Sequence, residues 1–507
     1  MNSLKYLVEG IPEVVRIEGT ADIAISGIAY DSRKVSAGNI FVCLHGQRTD
    51  GEKFVGDAVS RGAVAVVVEV AVATEGSAPA DKPVTYVIVN NALSFLARVS
   101  AKFYSFPSEK LNIVGVTGTN GKTTVTYLIE SVLREAGIPC GVIGTLNYRV
   151  GRDVIRAENT TPQSADLQKL LWQAVKNKIK TVVMEVSSHG LELGRVLWTE
   201  FDSAVFTNLT RDHLDFHKTF EDYFRAKLKL FEMLAGDAEP CGKKTNKFAI
   251  INVDDRWGRV IAENMAGKIR VVTYGINQKN SPVKPDVRAD RAVFNREGTT
   301  MKIGDTVINS PLIGRYNAYN ILACYAYADA YGIDKAVIKK GIEKLCCIPG
   351  RLHRVECGQP FTVLVDYAHT DDALTNVLNT IREIKPAHII TVFGCGGDRD
   401  RTKRPIMGEV SSMLSDYVIV TSDNPRAEDP QKILLDIEVG IRRTGRRNYE
   451  IMQDREKAIE RAINMASEGD VVLLAGKGHE DYQIMGDKKI HFNDTEVAER
   501  YLEKWKR

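Results

Sequence analysis

The stretch Asn112-Ile-Val-Gly-Val-Thr-Gly-Thr-Asn-Gly-Lys-Thr-Thr124 decides how the rest of the chain is read. An apolar run, a strand candidate over 113–117, ends in two glycines, a lysine and two threonines, and a helical pattern follows over 125–136. Glycines let backbone N–H groups turn inward around a phosphate. Lys122 adds a point charge, Thr123 can offer its hydroxyl to Mg²⁺, and the helix N-terminus faces the anion. The pattern points to a nucleoside triphosphate. Its spacing is narrower than that of a general phosphate loop, which would need glycine where Val116 stands; here it is Gly118-x-x-Gly121-Lys122-Thr123. A plain Gly-rich strand-to-helix turn would not call for the lysine and threonines at these offsets.

A chain of 507 residues is too long for one core and predicts about three domains. The net charge of +3 argues against a broad nucleic-acid or membrane surface. No apolar run is long enough to span a membrane, and no basic segment followed by an apolar one marks a signal peptide. The eight cysteines show no C-x-x-C pair, so they read as reduced thiols packed as small hydrophobes.

The first part has short apolar runs, 63–68 and 85–89, separated by turn signals, and reads as a small α/β domain ending near the linker Ser105-Phe-Pro-Ser108. Strand candidates over 113–117, 181–186, 204–207 and 248–253 alternate with helical patterns, which predicts a parallel sheet with crossover helices. Residues 281–312 are polar and turn-rich, the pattern of a small antiparallel insertion. Beyond Pro349-Gly350-Arg351, strands over 362–366, 389–393, 417–421 and 471–474 each lead into a loop rich in Gly, Asp or Asn. That is a doubly wound, Rossmann-like pattern, with ligands expected at the carboxyl ends of the strands.

Several constellations could carry chemistry. Glu185 ends an apolar strand in Met184-Glu-Val-Ser-Ser-His-Gly190; it can reach a metal held by the phosphate loop or simply point into water. Ser187, Ser188 and His189 make a polar loop beside it. Asn208-Leu-Thr-Arg-Asp-His-Leu-Asp-Phe-His217 sets two histidines four apart, without the third ligand of a zinc site. His213 therefore reads as a single ligand to a second Mg²⁺, and His217 as a loop or packing residue. Lys227 lies on an amphipathic helix, where composition alone leaves it a solvated charge.

The loop Thr117-Gly-Thr-Asn-Gly-Lys-Thr-Thr124 resembles the ATP loop of the Mur ligases, which build the peptide stem of the bacterial cell wall, and the resemblance covers nearly the whole chain. It implies an α/β fold of three domains. These are a small N-terminal uridine-nucleotide domain over 1–108, a central P-loop-type ATPase domain with a parallel sheet over 109–346, and a C-terminal Rossmann-like amino-acid-binding domain over 347–507. Asp31-Ser-Arg33 and Gly46-Gln-Arg-Thr-Asp-Gly51 look like the uridine site of the group that adds the third stem residue, which implies contacts from Tyr30, Ser32, Gln47, Arg48 and Thr49. Asn159, Thr160, Thr161, Ser187, Leu193 and Arg195 stand where that group meets the muramoyl dipeptide, although Leu193 replaces a polar contact of some members. Gly118, Thr119, Asn120, Gly121, Lys122, Thr123 and Thr124 would hold ATP. Asn317, in Gly314-Arg-Tyr-Asn-Ala-Tyr-Asn320, and Arg351 would join them. Tyr-x-x-Ala-Lys227-x-x-Leu-Phe matches a lysine that CO₂ carbamylates in the family, giving N6-carboxylysine. Thr123, Glu185, His213 and that carbamate would then place Mg²⁺.

Asp366-Tyr-Ala-His369 and Gly394-Cys-Gly-Gly-Asp-Arg-Asp400 follow C-terminal strands, as in the family. The usual proline two residues after that histidine is Asp371 here, which would loosen a helix start. Asp423-Asn-Pro-Arg426 is the segment that separates enzymes adding meso-diaminopimelate from those adding L-lysine. Diaminopimelate has a second carboxylate where lysine has hydrogens, and the Arg426 fork can grip it bidentately. Arg399, Asp423, Asn424, Pro425, Gly476 and Glu480 would hold the rest of the amino acid. The implied reaction is ATP-dependent amide ligation of meso-diaminopimelate to UDP-N-acetylmuramoyl-L-alanyl-D-glutamate through an acyl phosphate, in peptidoglycan synthesis. Lys122, Glu185, Lys227, His213 and His369 are the expected catalytic set. A bacterial cytoplasmic monomer needing Mg²⁺, ATP and CO₂ is expected, with no nucleic-acid partner and no membrane insertion. The alternatives are an L-lysine-adding ligase, a folylpolyglutamate synthetase, which shares the loop but not Asp423–Arg426, and a nucleotide-binding scaffold that has lost catalysis.

Overall fold

Three α/β sheets follow one another along the chain in a computed structural model that describes residues 2–46, 50–70, 84–236, 246–276 and 283–505. The N-terminal sheet has five strands in the order Val14–Glu18, Thr85–Val89, Ala65–Glu69, Asn39–Val42, Gly27–Ala29. Its valine-rich inner strands are buried on both faces, and all pair in parallel except the first, as helices on both faces of a sheet require.

The central sheet has nine strands, and Asn112–Thr117 lies near its middle between Thr181–Glu185 and Ser203–Phe206. Helices Lys122–Glu135 and Arg315–Tyr331 cover one face, and Ser164–Lys176 and Phe220–Ala235 the other. Arg315–Tyr331 is apolar all round because it lies between the sheet and its neighbours, with residues 321–328 all buried. The observed strands agree with the sequence reading to within a residue, and the phosphate-loop helix begins three residues earlier than its pattern suggested. The 281–312 stretch is only partly a separate insertion. Arg291–Asn295, Gly298–Ile303 and Thr306–Ser310 form an antiparallel sheet, but Val287–Ala289 extends the central sheet as a parallel edge strand. The hairpin Asn147–Val150/Asp153–Arg156 at the opposite edge was not foreseen.

The C-terminal sheet runs His353–Val355, Thr362–Asp366, Val471–Ala475, Ile389–Phe393, Tyr417–Val420, Tyr449–Ile451, parallel after its first strand. The last parallel strand in sequence is inserted between the first two. The loops after Asp366, Phe393, Val420 and Ala475 therefore converge on one crevice, as doubly wound sheets dictate. No helix among the described residues is long and apolar enough to cross a membrane. Seven described cysteines are free; Cys43, Cys324 and Cys395 are buried as expected, but the adjacent Cys346 and Cys347 are exposed and do not serve as core hydrophobes.

Candidate active site

The phosphate loop is held from both sides. Gly118 has φ +144°, and a Cβ there would lie 1.9 Å from Thr207 Oγ1; Gly121 has φ +88°, and its Cβ would lie 2.3 Å from Asn320 Oδ1. Only glycine fits both places. The loop is clamped by Asn208, whose Oδ1 accepts from Asn120 N at 3.0 Å while its Nδ2 donates to Asn120 O at 3.1 Å. Thr119 N donates to Asn208 O at 2.8 Å. Lys122 Nζ curls back on its own loop, donating to Thr119 O at 2.8 Å and Gly118 O at 3.0 Å. Burial lowers its pKa, and the Glu185 and Asp212 carboxylates oppose that shift. Thr123 and Thr124 are buried in the first helical turn and line a cavity of about 350 Å³ with Asn317, Asn320 and Arg351. Asn317 Nδ2 is anchored on Ile313 O at 2.9 Å, and the Arg351 guanidinium lies 5.1 Å from the centroid of the Tyr367 ring.

Glu185 does not point into bulk water: it is 1% exposed. One oxygen accepts from Thr123 Oγ1 at 3.0 Å and Thr145 Oγ1 at 3.0 Å, the other from Thr145 N at 2.8 Å. Thr160 shares the Thr145 hydroxyl at 3.1 Å. Lys227 is not solvated either. It is 1% exposed, its Nζ donates to Gly118 O at 2.9 Å and lies 4.5 Å from the centroid of the Tyr223 ring. Burial, then the neighbouring Lys122 cation, push its pKa well below the ordinary lysine value. His213 sits at φ +54° beside Asp212, 3.3 Å from Nε2 to Oδ2. It is exposed to the cavity, and burial nevertheless holds its pKa low. His213 and His217 do not share a helix face, because the four-residue helix starts only at Leu214. His217 packs against His189, Phe216 and Tyr223. Thr123, Glu185 and Thr160 supply hard oxygen donors that suit Mg²⁺, while the unmodified Lys227 offers only a nitrogen, engaged with Gly118 O. No cluster of three His, Cys, Asp or Glu side chains suited to a metal occurs among the described residues.

A second cavity, of about 550 Å³, adjoins the first and shares with it Asp212, His213, Tyr367, His369 and Thr370. It is bordered by Arg399, Asp423, Asn424, Arg426, Gly476 and Glu480, so the C-terminal candidates converge on one space. Pro425 stands behind it, with its carbonyl so close to Gly397 that a Cβ there would lie 1.9 Å away. Arg426, at φ +53°, is fixed by its backbone to Ile484 O at 3.1 Å and by Nη1 to Gly397 O at 2.8 Å. Asn424 bridges to Glu480 Oε2 at 2.9 Å. Burial, then the Asp423 charge, raise the Glu480 pKa. His369 opens to both cavities; Nδ1 lies 2.8 Å from Tyr367 O, and burial with the Lys403 cation lowers its pKa.

The dipeptide-side candidates lie on the other flank of Glu185. Thr161 Oγ1 binds Glu185 O at 3.0 Å and Ser187 Oγ at 3.0 Å, and Arg195 Nη1 donates to Thr161 O at 3.0 Å. Tyr148 OH donates to Asn159 O at 2.5 Å. Tyr30 donates to Asp166, tying the first domain to the second, and burial followed by Asp166 raises its pKa. Ser32 is buried in the short turn capped by Asp31, and Leu193 caps the helix Ser188–Glu192. Gln47, Arg48 and Thr49 lie outside the described residues.

Sequence reasoning missed four participants. Thr145 and Asn208 lie far in sequence from the groups they hold. Thr370 caps the helix Asp371–Glu383 by accepting from Ala373 N, so the start that the lost proline seemed to loosen is secured. Asp372, in that helix's first turn, accepts from Thr210 Oγ1 at 2.9 Å and Asn120 Nδ2 at 3.4 Å, joining the C-terminal domain to the phosphate loop. The Ser/Thr-x-x motif around Thr370 was the readable signal; the other three had none.

Three family models match the chain: "Mur ligase family, catalytic domain" over 24–104, "Mur ligase middle domain" over 116–328 and "Mur ligase, glutamate ligase domain" over 350–478. The UDP-N-acetylmuramoyl-L-alanyl-D-glutamate--2,6-diaminopimelate ligase of Solibacter usitatus is 45% identical over 486 residues, covering 95% of this chain and 94% of that protein. The relative of the same name from Geobacter metallireducens is 46% identical over 505 residues, covering 96% of each. A solved structure titled with that activity is 31% identical, with a TM-score of 0.65 over 100% of this chain and 99% of its own.

Proposed function

The chain belongs to the Mur ligase family, and from that premise we infer that its two joined cavities link meso-diaminopimelate to UDP-N-acetylmuramoyl-L-alanyl-D-glutamate with conversion of ATP to ADP and phosphate. One observation carries this reading. The cavity of the phosphate loop shares a wall with a cavity lined by both signs of charge, in which Arg399 and Arg426 with Asp423 and Glu480 can complement an amino acid with two carboxylates and two amines. The D-glutamate γ-carboxylate attacks the γ-phosphorus of ATP, forming an acyl phosphate and ADP. An amine of diaminopimelate then attacks the acyl carbon, the acyl C–O bond breaks, and phosphate leaves as the amine nitrogen loses its proton.

An anion must attack an anion in the first step, so charge has to be neutralised before bonds change. Lys122 and the loop N–H groups do this from the protein side. Mg²⁺, when bound, neutralises and orients phosphate oxygens; Thr123 and Glu185 are its proposed ligands, with His213 at a second site. The neutral form of the Lys227 amine, favoured by burial and by the Lys122 cation, is the one that would react with CO₂, giving a carbamate and releasing a proton. That reaction would leave an anion with two oxygens beside Lys122. Asn317 and Arg351 are assigned to ATP, and Tyr30, Ser32, Gln47, Arg48, Thr49, Asn159–Thr161, Ser187, Leu193 and Arg195 to the nucleotide-dipeptide. Arg426 grips the distal carboxylate, Arg399 the other, and Asp423, Asn424, Gly476 and Glu480 receive the distal ammonium. His369, kept neutral and shared by both cavities, is the proposed base for the attacking amine. Both cavities are completed within one chain, which supports a monomer, and free cysteines and ATP use support a cytoplasmic enzyme.

The test is phosphate release from ATP with the UDP-dipeptide, comparing meso-diaminopimelate with L-lysine. Release that follows diaminopimelate alone is expected. Release with lysine instead would refute the reading of Asp423–Arg426, and none with either would favour the inactive scaffold.

A further inference from the structure

Behind the second cavity stands a lysine that the proposed reaction does not use. The Lys477 side chain is 0% exposed and does not line the cavity. Its Nζ lies 3.3 Å from Asp423 Oδ1, 3.5 Å from Glu480 Oε2 and 3.5 Å from Asn424 Oδ1. Asp423 and Glu480 themselves line the cavity. The loop that carries Lys477 is pinned inward: Gly476 and Gly478 have φ +109° and +53°, and a Cβ on Gly478 would lie 2.7 Å from the Tyr367 Cβ. A buried ammonium is retained only where it is paired. Another fully buried cation, Arg455, is already matched by Asp494 at 2.6 Å, with neither side chain exposed. Lys477 is thus the counter-charge that the Asp423–Glu480 pair keeps for itself.

We propose that Lys477 is a positioning residue for substrate selection: it stands against Asp423 and Glu480, holds both carboxylates in place and favours the charged form of Glu480, and so preserves the anionic seat for the distal ammonium of the amino acid. The proposal rests on the amino-acid assignment given to this cavity. Two buried carboxylates facing each other push a proton onto one of them unless a cation intervenes. Glu480 faces Asp423 and Lys477, with Tyr367, Tyr482 and Arg455 as its other charged or titratable neighbours. Burial and Asp423 favour its protonated form; Lys477 and the Asn424 amide favour the carboxylate. A protonated Glu480 loses the charge that attracts an ammonium.

The experiment measures KM for meso-diaminopimelate from pH 6.5 to 8.5 in the full chain, comparing the natural protein with Lys477→Met. The natural protein supplies the reference for titration of the substrate itself. In the variant KM should be raised about tenfold or more at pH 7 and should fall as pH rises, by up to ~tenfold per pH unit. KM for ATP should change less than ~twofold, because the phosphate loop is untouched. Adding Asp423→Asn should move the break in the profile back toward acid. If methionine prevents folding, Lys477→Gln, which keeps a hydrogen-bonding group without charge, carries the same expectation. A KM that is unchanged, or raised equally at every pH, would overturn the proposal. A natural protein whose phosphate release ignores diaminopimelate would refute the cavity assignment and this inference with it, and that outcome is visible before any variant is made.

Discussion

Arg426→Met should collapse the preference for diaminopimelate over lysine without dismantling the loop. The backbone N–H of Arg426 bonds Ile484 O at 3.1 Å, and its carbonyl accepts from Gly486 N at 2.7 Å, so both anchors survive the change. Methionine meets the same positive φ of 53° that arginine does, so no new backbone strain enters. What is lost is the guanidinium. Its Nη1 is committed to Gly397 O at 2.8 Å, which orients the fork and leaves other N–H groups for a carboxylate. Two charge-assisted bonds contribute about 3–6 kcal/mol gross at roughly 1.5–3 kcal/mol each. Water can enter an open cavity and take over part of that, which leaves about 3–4 kcal/mol. The expected loss in kcat/KM for diaminopimelate is therefore about 10² to 10³-fold. L-Lysine, which has no distal carboxylate, should be unaffected or improved, because an unpaired cation is removed. Phosphate release at saturating ATP and UDP-dipeptide, with each amino acid varied, gives both numbers. An equal fall for both substrates would mean that Arg426 only supports the loop, and the specificity argument would fail.

Lys227→Ala should reduce phosphate release by at least ~10³-fold if the side chain acts as a carbamate, and short carboxylic acids should restore part of it; full activity in the alanine variant would end the carbamate reading. Gly118→Ala should weaken ATP binding at least ~100-fold, because the new Cβ would lie 1.9 Å from Thr207 Oγ1 at φ +144°; calorimetric titration with ATP measures it, and unaltered affinity would refute the steric argument. His479 is held neutral to about pH 4 by burial and by Arg351, against an ordinary value of 6.5. The unfolded chain therefore binds the proton first, and stability is lost as pH falls from 6.5 toward 4 and stays level below. His479→Gln should flatten that slope by at most about 3 kcal/mol in denaturant titrations, and an unchanged slope would show that other groups carry it.

How much was legible depended on how local each cause is. The turn of the phosphate loop was legible, because Gly118, Gly121, Lys122 and Thr123 lie within one strand-to-helix turn, whereas its clamp Asn208 comes from a distant strand end. The strands were legible from apolar runs, since a parallel sheet covered on both faces leaves no polar alternation to confuse them. Val287–Ala289 was not, because three residues at a sheet edge carry too little pattern and are recruited by Tyr274–Ile276. The surroundings of Glu185 and Lys227 were beyond sequence reasoning for the same reason. Their bland reading as solvated charges fails only because Thr145, 40 residues away, and Gly118, 109 residues away, come to meet them. Family resemblance implied roles for these two residues but carried no information on their contacts.

Those contacts put the two half-reactions under one constraint. Asp372 lies in the first turn of a C-terminal helix and binds Asn120 of the phosphate loop and the neighbouring Thr210. The same helix follows His369, which faces the second cavity. A shift of the C-terminal domain thus moves the proposed amine base and the loop's Asn120 contact together. Asn120 is also the residue that Asn208 clamps, so the loop reports the position of the other domain through one side chain and one backbone. An acyl phosphate is open to hydrolysis wherever water can reach it, and closure that brings the amine as it encloses the phosphates limits that loss. Asp372 is partly buried, and burial raises its pKa. Its proton-free form is the one that accepts both hydrogen bonds, so acid should loosen the join between the domains before either sheet unfolds.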